Sequence, residues 1–275
     1  MYGKFYTNQI FIQEVVAMRS ITSKDSFVFY IFFSIAVVIL IGVPLKRSLA
    51  GTNVDLSFDN ADFTHPLTIN NTYFPLHVGD IYVYSAETED GIEEDTVTVT
   101  HQKRKLGGVD CRAVSDIVTL TNDVLDHKIT EETTDWYAED DEGNVWYCGE
   151  DSTEFSYDDQ GNLVGSNDGG SWNVDVPGAE GGIIMLAEPE RGDTYRQEFL
   201  EGVAEDMARV VKLDATVSIE YSDFDNCLQT KEWTPLESGS IGRKFYYPGL
   251  GQVYETELSG GKTVNSELVD YISGS

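Results

Sequence analysis

Short segments in which apolar or β-branched residues recur at every second position follow one another from Tyr73 onward. This alternation is typical of half-buried antiparallel strands, because successive side chains of a strand point to opposite faces. Turn residues separate the segments at hairpin-like spacing, as at Asp90-Gly91 and Gly107-Gly108. The clearest segments are 80–86, 95–101, 112–120, 145–148 and 215–221. The sequence therefore predicts a mainly β fold with a curved antiparallel sheet, either a sandwich or a lipocalin-like barrel or half-barrel.

One stretch, 194–212, follows a different pattern. Phe199, Val203 and Met207 recur there at roughly helical intervals, whereas Gly202 and the β-rich residues that follow disfavour a helix. The sequence leaves a short helix and a pair of strands as alternatives for this stretch.

The N-terminal part contains an uncharged run of twenty residues at 26–45. A helix of that length matches the ~30 Å hydrocarbon core of a bilayer, and the run also fits a long signal-peptide core. We therefore expect one N-terminal apolar helix, which is either a transmembrane anchor or a signal peptide cleaved near Ala50. Translation can begin at Met1 or at Met18, and Met18 is followed by a more conventional positively charged segment.

These features divide the chain into four parts and place its polar portion outside the cytoplasm, either anchored to the membrane or secreted. The expected parts are a cytoplasmic or signal n-region at 1–25, the signal or transmembrane helix at 26–45, a linker at 46–70 and an extracytoplasmic antiparallel β domain at 71–275.

The charge of the chain is strongly negative, with 48 acidic and 18 basic residues and a formal net charge of −30. A field of this sign repels phosphate backbones and anionic head groups. Nucleic acid is therefore not an expected partner, and contact with a membrane is expected only through the N-terminal segment. Among charged partners this leaves cations, and the alternative is that the acidic residues serve only to keep the domain soluble.

Three cysteines, Cys111, Cys148 and Cys227, form an odd set for an oxidising compartment. At most one intramolecular disulfide can form among them, and their pairing is open. All three can equally be small core residues of strands.

A short repeat links two segments, since Asp140-Asp141-Glu142-Gly143-Asn144 is echoed by Asp158-Asp159-Gln160-Gly161-Asn162. Asp and Gly at these positions favour two hairpin turns. The alternative is a calcium site, for which the candidate ligands are Asp140, Asp141, Asp158 and Asp159. Neither segment has the Asp-x-Asp-x-Asp-Gly spacing of a calcium-binding loop, so no cofactor is expected apart from this possible calcium ion.

The motifs of common enzyme classes are missing from the sequence. The four histidines are dispersed, no serine lies on a nucleophile elbow, and the cysteines lie in apolar segments. Among so many acids a catalytic carboxylate pair can always be found, which leaves a carboxylate-dependent hydrolase of envelope polysaccharide as an alternative function.

Several motifs between Asn71 and Leu258 resemble a family of bacterial exported and lipoprotein-type β domains. The motifs are Tyr73-Phe74-Pro75-Leu76, Asp135-Trp136-Tyr137-Ala138-Glu139-Asp140, Gly143-Asn144-Val145-Trp146-Tyr147, Gly192-Asp193-Thr194-Tyr195-Arg196-Gln197-Glu198, Lys231-Glu232-Trp233-Thr234-Pro235-Leu236-Glu237 and Tyr247-Pro248-Gly249-Leu250-Gly251-Gln252-Val253. The resemblance implies a curved antiparallel β architecture behind an export signal and implies no particular activity. The chain departs from the family at Thr52, where relatives have a lipid-bearing cysteine, and at Tyr247, where they have alanine.

The candidate ligand-binding residues are the charged and aromatic residues of these motifs. They are Tyr195, Arg196, Glu198, Glu205, Trp136, Trp146, Trp172 and Trp233. An Arg196 inside a cavity would pair with Glu198 or Glu205, or would receive a ligand carboxylate, and the alternative is an ion pair at the surface. The tryptophans either close the core or stack on a ligand.

From these observations we expect a non-enzymatic domain of the cell envelope or a secreted domain. It would bind a small apolar or amphipathic molecule, or a partner protein of the envelope, in the concavity of the sheet. The alternatives are the carboxylate-dependent hydrolase and a structural component of the envelope.

Overall fold

The structure, a computed structural model, describes residues 52–259 and 261–274. The predicted apolar helix at 26–45, the cleavage site near Ala50 and both candidate starts lie outside these residues. In the described part of the chain, no helix has the length and apolar character needed to cross a membrane.

The described residues form one 3₁₀ helix, Phe58–Asn60, and seventeen strands. The strands are β1 (Ile69–Asn70), β2 (Pro75–Leu76), β3 (Ile81–Glu87), β4 (Ile92–Leu106), β5 (Val109–Thr121), β6 (Lys128–Glu139), β7 (Val145–Tyr157), β8 (Leu163–Asn167), β9 (Trp172–Asn173), β10 (Glu180–Met185), β11 (Thr194–Arg196), β12 (Glu198–Phe199), β13 (Met207–Ser218), β14 (Asp223–Trp233), β15 (Ile241–Tyr247), β16 (Gly251–Ser259) and β17 (Lys262–Ile272). The prediction of a mainly β fold is confirmed, and the stretch at 194–212 forms strands rather than a helix.

Two meanders make up the main sheet, since β3 to β7 and β13 to β17 each run in chain order. The antiparallel pairing of β17 with β3 joins them into the order β11-β13-β14-β15-β16-β17-β3-β4-β5-β6-β7-β10-β12. β8 and β9 pair with β7 outside this path, and β1 and β2 form a separate two-stranded sheet. Hairpins between consecutive strands explain why the pairings within each meander are antiparallel.

The two ends of this sheet meet in one continuous segment, 194–199. Its first half, β11, pairs with β13, and its second half, β12, pairs with β10. Only the buried Gln197 separates the two short strands. A Cβ atom on Gly182 of β10 would collide with the backbone of Gln197, so glycine permits this close approach. The segment closes the sheet into a nearly complete barrel. Of the two architectures predicted from the sequence, the structure therefore has the barrel and not the sandwich.

Residues within the predicted linker pack against the barrel. Phe58 and Ile69 are buried in the core, and Asn53 forms a bridge with Thr194. These contacts attach the described part of the linker range to the sheet.

The disulfide joins Cys111 of β5 to Cys148 of β7, across the intervening strand β6. Cys148 is the extra residue of a bulge, because Trp136 pairs with Gly149 while the next residue, Tyr137, pairs with Tyr147. A bulge redirects a side chain and increases the local twist, which accounts for the approach of the two Cα atoms to 6.8 Å. Cys227 is free and buried.

Candidate ligand-binding cavity

A cavity of ≈ 270 Å³ lies inside the barrel, between the two meanders. Its charged lining residues are Asp95, Asp116, Asp135, Lys244 and Glu255, and its aromatic lining residues are Phe74, Tyr82, Tyr84, Tyr137 and Tyr246. Aliphatic side chains such as Leu76 and Val114 complete the wall. The cavity therefore combines apolar faces with four carboxyl groups and one ammonium group.

Three of these acids form a diagonal row across neighbouring strands. Asp116 of β5 pairs with Val97, two residues beyond Asp95 on β4, and Asp135 of β6 pairs with Val114, two residues before Asp116. Residues two apart on a strand share a face, so all three carboxyl groups point into the barrel. We call Asp95, Asp116 and Asp135 the carboxyl row.

The first two members of the row hold a proton at neutral pH. Burial, and next the negative charge of Asp116, raises the pKa of Asp95 to about 10. Burial also raises the pKa of Asp116, and a hydrogen bond joins the two side chains. Because two adjacent carboxyl groups cannot easily both be ionised in a poorly solvated site, one proton is shared between them.

The third member, Asp135, is hydrogen-bonded to Tyr147, whose ring packs on Tyr137. Burial raises the pKa of Asp135. A hydrogen bond of 2.5 Å, which Tyr147 Oη donates to Asp135 Oδ1, partly offsets this rise. Glu150 Oε2 lies 3.1 Å from the same hydroxyl group. The ring of Tyr147 stacks on that of Tyr137 with a centroid distance of 5.0 Å. Packing therefore fixes Asp135 at the wall of the cavity.

Lys244 faces the carboxyl row from the other meander. Its Nζ lies 3.2 Å from Glu232 Oε2, and its strand partner is Glu255. The charges of Glu232 and then Glu255 raise the pKa of Lys244, so the ammonium group persists at neutral pH. Its side chain is only 30 % exposed. The positive charge of Lys244 also partly offsets the rise in the pKa of Asp116 and of Asp135.

The predicted charged set does not form one site. Arg196 pairs with Glu180 at 3.1 Å, is 45 % exposed and lies over the ring of Phe199. Arg196 lies on the exposed side of the barrel seam, so it forms the surface ion pair that the sequence left as the alternative and does not pair with Glu198 or Glu205 inside a cavity. Glu205 instead accepts a hydrogen bond of 2.8 Å from the Gly202 backbone N–H group.

Glu198 lies on the interior side of the same seam. Its pKa is raised to about 8 by burial and then by the charges of Asp206 and Glu150. Tyr195 is also buried. Neither Glu198 nor Tyr195 belongs to the lining of the cavity.

The four tryptophans are spread over the barrel. Trp146 packs against Phe58 and Phe63, the edge of Trp172 contacts Tyr147, Trp136 lies near Arg104, and Trp233 lies under Lys231. Trp136, Trp146 and Trp172 are buried. None of the four lines the cavity, and this placement agrees with a role in closing the core.

The candidate calcium ligands act as hydrogen-bond acceptors in turns. Asp140 accepts from the backbone N–H groups of Glu142 and Asn144, and Asp158 accepts in the same way from Gln160 and Asn162. Asp141 accepts two hydrogen bonds from Thr64, and Asp159 is exposed. Among residues 52–259 and 261–274, no group of three or more His, Cys, Asp or Glu residues is arranged to hold a metal ion.

The acids and the lysine of the cavity are not among the candidate residues predicted from the sequence. A signal for them exists, since Asp95 is in phase with Val97 and Val99, and Asp116 is in phase with Val114 and Val118. An acid at an inward position of an alternating segment is a buried acid. Which inward acids share a cavity depends on strand order and register.

The raised pKa values of two buried glutamates predict that the free energy of unfolding falls as the pH rises. The pKa of Glu150 is raised from 4.5 to about 7 and that of Glu198 from 4.5 to about 8, first of all by burial. Because the folded chain binds these protons more tightly than the unfolded chain, their stabilisation is complete below the ordinary pKa and is lost as the pH rises through the folded values. We expect the free energy of unfolding to fall by about 1–3 kcal/mol between pH 5 and pH 8, as measured by urea denaturation.

The matched variant for this experiment is Glu198→Gln, which mimics the protonated form. It should flatten the dependence on pH, whereas Glu201→Gln, at an exposed position, should leave it unchanged. A stability that rises between pH 5 and pH 8 would show that these glutamates are not buried as protonated acids.

Comparison with known proteins gives two distant structural similarities. No family model matches the chain, and no curated protein matches it. One similar solved structure is a candidate exported protein with a YmcC-like fold from Bacteroides fragilis, with 15% identity and a TM-score of 0.40, covering 74% of this chain and 100% of that chain. Another is a candidate lipoprotein from Parabacteroides distasonis, with 11% identity and a TM-score of 0.37, covering 74% of this chain and 99% of that chain.

Proposed function

We propose that this chain is an extracytoplasmic, non-enzymatic binding protein whose cavity takes a small amphipathic molecule with a protonated amine. The observation that carries the proposal is the meeting of aromatic faces with the carboxyl row in one cavity. Aromatic faces attract ammonium groups, and carboxylates pair with them. The apolar part of such a ligand would pack on Phe74, Leu76 and Tyr246.

The carboxyl row supplies what an ammonium group needs. Within the described residues, Asp95 Oδ1 is buried and has no hydrogen-bond partner. The proton held with Asp116 neutralises the empty site, because an uncompensated charge there is costly. An ammonium ligand would displace that proton and donate its own N–H groups, so binding would release protons to the solvent.

Two features support a location outside the cytoplasm. Cys111 and Cys148 form a disulfide, and structural disulfides persist mainly in oxidising compartments. The uncharged run at 26–45 is suited to export or anchoring. Anchored and secreted forms both fit this proposal.

The two alternative functions receive less support. Glu150 and Glu198 have pKa values of about 7 and about 8, which suits a proton donor of a hydrolase. However, the lining of the cavity includes neither residue. A purely structural component would be expected to have a filled core, and the cavity favours a binding protein.

Three molecules of nearly equal shape test the charge preference of the cavity. We expect 2-phenylethylamine to raise the melting temperature of the full-length chain, because a ligand selective for the folded state stabilises it by mass action. The neutral 2-phenylethanol and the anionic phenylacetate should raise it much less. Calorimetric titration of the amine in buffers of different ionisation enthalpy should reveal proton release.

Matched variants locate the binding site. Asp116→Asn should weaken amine binding by about tenfold or more, since it removes a charge that pairs with the ligand. Asp123→Asn makes the same change at an exposed position and should bind as the wild type does. Equal responses to the amine and the alcohol, or no response to the amine, would refute the proposal.

A further inference from the structure

A second cleft, on the outer side of the barrel, is lined by cations. Its volume is ≈ 350 Å³, and its charged lining residues are Arg191, Arg209, Lys231 and Arg243. The chain has 18 basic residues against 48 acidic ones. A cleft with four basic side chains and no acidic one in its lining is therefore unusual for this chain.

Strand register places three of these cations in one row. Arg209 of β13 pairs directly with Lys231 of β14. Glu232 pairs with Gly242, which sets Lys231 beside Arg243 of β15. Adjacent strands are about 4.8 Å apart, so the row is about 10 Å long. Like charges on directly opposed strand positions repel each other.

No acid of the described residues neutralises this row. The ion pairs within 52–259 and 261–274 involve other cations, such as Lys103, Arg104, Arg196 and Lys262. No acidic side chain of these residues lies within ion-pair distance of the four cleft cations. Beyond Arg243 the row continues through Thr256 and Asn265, which are uncharged. Lys231 contacts the face of Trp233, which orients the ammonium group but leaves its charge unneutralised.

We propose that this cleft binds a small oxyanion of the phosphate or sulfate class. Guanidinium groups bind such oxyanions through two parallel hydrogen bonds, and lysine adds a point charge. An oxyanion between Arg209, Lys231 and Arg243 would relieve the repulsion within the row. The cleft lies on the opposite face of the sheet from Lys244 and the carboxyl row, so it is separate from the amine cavity.

Soluble probes test this site in the full-length chain. We expect inorganic pyrophosphate to bind saturably in calorimetric titration, with an affinity that falls as the sodium chloride concentration rises. Inorganic phosphate and glycerol 3-phosphate are the two further probes. Tighter binding of glycerol 3-phosphate would identify a lipid head group as the source of the phosphate, and tighter binding of inorganic phosphate or pyrophosphate would identify a free anion.

Variants of the row and of a separate basic site provide the controls. Arg209→Gln/Arg243→Gln should weaken pyrophosphate binding by about tenfold or more, because two of the charged hydrogen-bond donors are lost. Lys103→Gln/Lys105→Gln removes the same charge from the hairpin where both lysines pair with Asp110, and should bind as the wild type does.

A charge reversal separates binding from folding. Arg243→Glu should create an ion pair with Lys231, so the variant should melt at or above the wild-type temperature while pyrophosphate binding is lost. The proposal is overturned if none of the three phosphate probes binds to the wild type, or if the row variants and the hairpin variant bind equally well.

Discussion

Removal of the disulfide in a Cys111→Ala/Cys148→Ala variant is expected to lower the free energy of unfolding by about 2–4 kcal/mol. The bond closes a loop with a sequence separation of 37 and restrains the unfolded chain over that length. In the folded chain it ties β5, which carries Asp116, to β7 across β6, which carries Asp135. Urea denaturation of the wild type and the variant measures the difference.

Reduction provides the control for this variant. A reducing agent should destabilise the wild type by a similar amount and should leave the double variant unchanged. Cys227→Ala should retain the response to reduction, because Cys227 is not part of the bond. If reduction leaves wild-type stability unchanged, the disulfide does not contribute to stability.

Truncation of Trp146 in a Trp146→Ala variant is expected to cost about 3–5 kcal/mol of folding stability. The side chain is 1% exposed and lies edge-on to Phe58 at 5.7 Å between ring centroids. Its Nε1 donates a hydrogen bond of 2.8 Å to Asp140 Oδ2. The variant therefore leaves a large space in the core and removes one of the hydrogen bonds that orient the turn. Urea denaturation measures the cost.

Two tryptophan variants separate packing from binding. Trp146→Phe keeps most of the packing and loses the hydrogen bond, so its cost should be smaller, about 1–2 kcal/mol. Trp233→Ala, at a half-buried position, should also cost less than Trp146→Ala. At temperatures where they remain folded, all three variants should bind 2-phenylethylamine as the wild type does. Loss of amine binding in folded Trp146→Phe would instead support the sequence-based hypothesis of a ligand role for this residue.

Local patterns predicted much of the fold. The alternation at 80–86, 95–101, 112–120, 145–148 and 215–221 marks segments that are largely strands in the structure. The turns at Asp140 and Asp158 also follow the expected chemistry, since each aspartate accepts hydrogen bonds from the residues that follow it. These features depend on residues close together in the chain, and a sequence displays such interactions directly.

The candidate site was largely missed because its members are distant in the chain. Arg196, Glu198 and Glu205 are close in sequence, yet the seam turns Arg196 outward to Glu180 while Glu198 is mostly enclosed. Conversely, Asp116 and Lys244 face one cavity although more than a hundred residues separate them. Proximity along the chain was therefore a poor guide to proximity in the barrel.

The sequence by itself determined the β character of the chain, its turns, its acidity and its uncharged N-terminal run, because each of these follows from local composition and spacing. Only the tertiary structure decided that the sheet closes through 194–199, that Cys111 pairs with Cys148, and that the carboxyl row and the basic cleft lie on opposite faces. The physical reason is that pairing, register and closure are contacts between distant residues, and their free energy depends on the whole sheet rather than on any one segment.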